Sequence, residues 1–286
     1  QLDIFDDYFY DYNYQINKEN ARASGTGYAN IRKGYEEVID GLSETKFLRN
    51  RNILTTDTHM FFAPSQTTTG DDYYLINRVE IFPTSITTGN NTLAATNALV
   101  DTGGVNFITL GVSVGDAVVN TVTGDAAYVA GVTSNILLLD GNIFTTDPVG
   151  YKIFDATDRA EAEMVSQAKI MQLSISLLTS PTTIFPAYTL DGDYITMYPN
   201  TVNEPGQVLA QYIRYPKDPK WTYVTLTGGE PVFDSTQADY QDFELALDDQ
   251  VDLVIKILQY AGMSIREVQA VQFAQAQEQL NIQEEK

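Results

Sequence analysis

The sequence predicts an α+β fold: a discontinuous helical body interrupted by two β-rich modules, a small antiparallel sandwich or barrel and a β-hairpin region, and followed by an extended C-terminal helix. Three observations predict it. Apolar residues recur at three- and four-residue spacing in three separate segments, short apolar runs broken by Gly, Asn, Asp and Thr fill the stretch after residue 79, and the last residues are rich in Gln and Ala.

The first helical segment, 29–42, carries Ile31, Tyr35, Val38, Ile39 and Leu42 on one stripe, with Gly41 near its end. Six short apolar runs follow between Val79 and Phe154 (VEIF, FITL, AVV, AYVAGV, ILLL and YKIF), at the spacing of a small sandwich or barrel. Gly111 and Gly115 fall at turns there, and the Thr/Asn/Gly-rich stretch from Pro83 to Asn97 reads as a surface loop. Asp158 and Glu161 have capping-box spacing, and Met164, Ala168, Met171, Ile175 and Leu178 continue on one helical face until Pro181. Beyond it, YTL and YITMY flank Asp191-Gly192-Asp193, a hairpin signal because glycine accepts positive φ. QVLAQYIRY adds a strand up to Pro216.

Phe243, Leu247, Val251, Val254 and Leu258 form the longest stripe. Gly262 reads as a break, and Ser264 with Glu267 starts a further helix. These signals divide the chain into an N-terminal arm and helical body (1–78), an inserted β domain (79–155), a continuation of the body (156–182), a β-hairpin insertion (183–226), and C-terminal helices with an assembly tail (227–286).

Composition narrows the function. The chain has 286 residues, a formal net charge of −21, no cysteine and one histidine. Thiolate metal sites, disulfides and cysteine nucleophiles are closed by that count, and the charge opposes any grip on nucleic-acid phosphates or anionic lipid. No stretch approaches the about 20 apolar residues that span a bilayer, and the acidic QLDIFDDYFYDYNYQ lacks the basic start of a signal peptide, so no membrane partner and no export signal are expected.

Motifs for chemistry are sparse. Leu99-Val100-Asp101-Thr102-Gly103 has the look of an aspartic-protease loop, and Asp101 is the candidate in that remote alternative. Such enzymes need two aspartates sharing a proton, and ILLLDG at 136–141 has Asp where the downstream glycine belongs. His59 stands without a second histidine for a zinc site. The acidic pairs Asp6/Asp7, Asp71/Asp72, Asp191/Asp193 and Asp248/Asp249 lack the alternating loop of an EF-hand and read as solvated carboxylates. No enzyme, cofactor or metal is expected. Interface residues are: Tyr8, Phe9, Tyr10, Tyr12 and Tyr14 concentrate aromatics in an otherwise acidic arm, and Phe273 and Leu280 punctuate the Gln/Ala-rich tail.

Three segments, GYEEVIDGL at 34–42, QYIRYPKDPKWTY at 211–223 and QDFELALDDQVDLVIKILQYAGMSIRE at 241–267, resemble head–tail connector ring proteins of crAss-like bacteriophages. The resemblance implies a structural virion protein, assembled in the host cytoplasm as a closed ring of about twelve copies. It further implies contact with the portal protein and adjacent tail or ring proteins, and a channel through which genome DNA passes without specific binding. The alternative is another tail or capsid-surface component whose β domain binds a receptor or glycan.

Overall fold

The computed structural model describes residues 38–51, 59–245 and 250–265. Within them the chain is overwhelmingly β: fifteen strands against a helical turn at 38–41 and two helices, α1 (Gln167–Ile175) and α2 (Gln250–Ile265). The expected helical body with an extended C-terminal helix is therefore overturned. Two compact units account for the chain, one comprising 44–214 and the other the residues on either side of it.

The first sheet of the 44–214 unit has seven strands in the order β1 (Ser43–Phe47), β13 (Val208–Arg214), β3 (Tyr73–Ile81), β10 (Ala160–Met164), β11 (Ala187–Asp191), β12 (Tyr194–Tyr198), β2 (Met60–Phe62). Its two edges meet. Residues just past β1 bridge to β2 at Asn50 and Phe61, with Arg51 N–H donating to the Met60 carbonyl at 2.8 Å, so the sheet curls into a closed barrel. Closure removes the exposed strand edges that invite aggregation. Phe61, Val79, Ile81, Ile195, Met197 and Tyr212 are among the fully buried side chains of its core.

Ala160-Glu161-Ala162-Glu163-Met164 alternates, and alternation is the strand period. β10 pairs antiparallel to β3 and parallel to β11, and it buries Ala162 in the barrel. Pairing on both edges outweighs the helical stripe that begins at Asp158. The helix starts only at Ser166, whose hydroxyl accepts from the Lys169 amide, and α1 ends well before Pro181. Likewise β11, β12 and β13 are wall strands of this barrel rather than an insertion into helices.

A second sheet is inserted between β3 and β10, in the order β4 (Ser85–Asn90), β9 (Gly150–Phe154), β6 (Ala117–Asn120), β7 (Ala126–Val132), β8 (Ile136–Leu139), β5 (Ala98–Val100). It too curls shut, because Leu93 just past β4 bridges to Val100 of β5, with the Thr92 amide donating to the Val100 carbonyl at 2.8 Å. Leu99, Phe107, Val118, Leu137, Phe144 and Ile153 fill it. The Pro83–Asn97 stretch, read as a loop, supplies β4, where Gly89 is required by close approach: a Cβ there would stand 2.6 Å from the Tyr151 hydroxyl.

The two barrels share a seam. Phe82 and Leu209 pack on Ala117, Val119 and Phe154, with Phe47 and Tyr128 at the margin. The ion pairs Arg49–Asp125 and Lys152–Glu204 flank it.

The remaining unit carries a separate hairpin, β14 (Tyr223–Thr225) and β15 (Pro231–Phe233), and α2. Gly262 lies within α2 instead of breaking it. A lone glycine inside a helix costs only about 1 kcal/mol against alanine, which neighbouring helix formers absorb.

Candidate interaction surfaces

Strands β10 and β11 run parallel, so the chain must cross over between them, and α1 with the following loop is that crossover. Only one side of α1 is needed for packing: Ile170 is buried with Val165 and Ala187. Met171 and Ile175 face outward, and the loop continues with Leu177 99% and Leu178 97% exposed, then Ile184 and Phe185 also largely exposed. The loop is built, not slack. Ser180 and Thr179 amides donate to the Ser176 carbonyl, the Thr179 hydroxyl donates to the Leu173 carbonyl at 2.9 Å, and the Phe185 amide donates to the Thr182 hydroxyl. These turns satisfy the backbone locally and leave the leucines in water.

No Asp, Glu, Lys or Arg occurs between Lys169 and Asp191, in a chain of net charge −21. An uncharged, preorganised projection with fully exposed leucines is an apolar patch of the kind that marks a binding surface.

The β14–β15 hairpin forms a second surface. Tyr223 pairs with Phe233 across the strands, and Trp221 stacks on both at 5.3 and 6.4 Å between centroids, with Tyr240 edge-on to Phe233. This cluster covers one face, which stabilises a two-stranded element that is marginal alone. The opposite face presents the pair Val224 and Val232, both roughly half exposed, with Leu226 at the turn. Asp234 closes the hairpin base: its carboxylate accepts from the Thr236 amide and hydroxyl and from Gln237, and these bonds hold its pKa below the usual carboxylate range.

One small polar cleft of about 170 Å³ opens beside the seam of the two barrels, lined by Thr45, Arg78, Glu80, Tyr128, Arg159, Leu209 and Gln211. Glu80 already bridges both guanidiniums, at 3.1 Å to Arg78 and 3.6 Å to Arg159. Burial pushes the Tyr128 phenol up to about 12, against the opposing pull of Arg159. The cleft is a clamp between strands whose charges are already paired.

Of the residues singled out in the sequence, Tyr8, Phe9, Tyr10, Tyr12, Tyr14, Phe273 and Leu280 lie outside the described residues, as do Asp6, Asp7, Asp248 and Asp249. Asp101 sits just after β5, 4% exposed, its carboxylate accepting from the Tyr151 hydroxyl at 2.8 Å and the Gly103 amide at 2.9 Å. Its hydrogen bonds serve the barrel wall. His59 lies edge-on to Tyr198, and its carbonyl accepts from Met197. Asp191 and Asp193 flank the β11–β12 turn at Gly192, whose φ is 58°. Among the described residues no three His, Asp or Glu side chains converge as a metal site, and no helix is long and apolar enough to cross a membrane.

The crossover loop and the hairpin were not singled out by sequence reasoning. Their signals were present: an uncharged run holding Leu177-Leu178 and Ile184-Phe185 about Pro181, and aromatics at alternate positions 221 and 223. No protein-family model matches the chain, and no curated protein matches it in sequence.

Proposed function

We propose that this chain is a structural virion subunit, one copy of a closed ring in the head–tail connector of a tailed bacteriophage. The observation that carries the reading is the crossover loop: two barrels with buried apolar cores coexist with a hydrogen-bonded loop whose leucines remain wholly exposed. The barrel cores make no use of such a projection, and association with other subunits gives it one. The likeness of segments 34–42, 211–223 and 241–267 to connector ring proteins adds the class of assembly.

On this reading the ring contacts the portal protein and neighbouring tail or ring proteins, in the virion. Its acidic charge keeps passing genome DNA from adhering, since like charges repel at short range even in physiological salt. Electron microscopy of the purified chain and of particles containing it tests the proposal. Rings with an axial channel are the expected result; a protein that stays monomeric at every concentration and is missing from the particle's neck overturns it.

A further inference from the structure

We infer that the crossover loop of one copy docks on the open face of the β14–β15 hairpin of the next copy, making the head-to-tail contact of the ring. The inference rests on the ring reading above and names the surfaces that close it.

Charge selects the occupant. Two copies each of net charge −21 repel, so they approach most readily through surface that carries no charge. The loop has none from Lys169 to Asp191, and strands β14 and β15 have none either, Glu230 lying in the turn between them. Exposure points the same way. The loop bares Leu177, Leu178 and Ile184, while the hairpin bares the aliphatic Val224, Leu226 and Val232 on the face opposite the half-exposed aromatic cluster, whose rings already stack on one another. Apolar side chains of about 100 Å² each supply the dry centre of an interface whose standard size is roughly 800 Å² per partner.

The two surfaces are different, which fixes the symmetry. A patch that pairs with itself yields a two-fold dimer, whereas two unlike patches on one chain pair heterologously and propagate until rotation closes the ring. Both surfaces are held by local hydrogen bonds before any partner arrives, so little ordering opposes association.

Because the chain contains no cysteine, single substitutions test the contact in the full-length protein. Leu178→Cys and Val232→Cys are prepared separately, mixed under oxidising conditions and run without reductant. The mixture is expected to give a cross-linked pair that neither variant gives alone, and the double variant a ladder ending in a covalent ring. Leu178→Cys cross-linking to itself overturns the head-to-tail arrangement. Wild type that sediments as a multimer, with no 178–232 cross-link, removes this contact and leaves the ring reading standing; wild type that stays monomeric at every concentration and is missing from the particle's neck removes both.

A second measurement guards against misfolding. Leu177→Glu with Leu178→Glu, at positions already in water, is expected to keep the wild-type circular dichroism and melting temperature while assembly falls at least tenfold. Unchanged assembly overturns the inference, as does flotation of the wild type, but not this variant, with phosphatidylcholine vesicles, which assigns the loop to lipid.

Discussion

The hydroxyl of Tyr151 donates a 2.8 Å hydrogen bond to the buried carboxylate of Asp101, tying β9 to the turn that follows β5 across the interior of the second barrel. Burial and this bond both push the Tyr151 phenol above its ordinary pKa. A buried acceptor that loses its donor bears the desolvation cost alone. Tyr151→Phe is expected to lower the unfolding free energy by about 1–3 kcal/mol, measured by urea denaturation. Adding Asp101→Ala to it should cost less than the sum of the two single changes, because the partners share one interaction.

Gly206 has φ +73°, and a Cβ there would lie 2.0 Å from Cγ2 of Val119 in β6. Gly206→Ala meets both a conformational penalty and a collision with the other barrel, for an expected loss of about 2 kcal/mol or more. Val119→Ala in the same molecule removes the 2.0 Å contact, leaving Cβ of residue 119 at 3.2 Å, but not the backbone strain. Thermal unfolding of the pair should therefore show partial rescue, and strictly additive losses would disprove the contact.

Apolar packing, rather than the flanking ion pairs, holds the seam between the barrels. Leu209→Ala empties a buried site and is expected to cost about 2–5 kcal/mol. Asp125→Asn breaks an exposed pair with Arg49 and should cost less than about 1 kcal/mol, falling further in high salt. Chemical denaturation at two ionic strengths separates the two contributions.

Tyr128 gives the seam an alkaline limit. Its folded-state pKa, raised mainly by burial to about 12, exceeds the ordinary value of 10.0. The fold retains the proton that the unfolded chain releases, so this contribution is intact below pH 10.0 and is lost as pH rises toward about 12. Tyr128→Phe should flatten stability against pH in that window, and tyrosinate absorbance should lose one late-titrating group.

What could be read in the sequence was local. The Asp191-Gly192-Asp193 turn and the valines at 118 and 119 are legible because turn chemistry and strand composition act over a few residues. The barrels are not, since closure depends on Asn50 reaching Phe61 and Leu93 reaching Val100, and pairing between separate segments leaves no periodic trace. Residues 158–178 misled for a related reason: AEAEM satisfies both a helical stripe and a strand, and the neighbours β3 and β11 decide. The exposed loop escaped notice because apolar residues before Pro181 read as the end of a buried helix face.

Ile81 of β3 and Ala160 of β10 stand opposite one another, so the chain leaves the first barrel and returns to it at a single rung of the ladder. The entire second barrel occupies the place of a hairpin loop. No rung of the host's ladder comes from it, and the module is a cassette that recombination can exchange at one doorway. A swapped barrel has only to preserve a small apolar face for Phe82 and Leu209. Through that doorway a lineage can replace the second barrel while the first keeps its ladder.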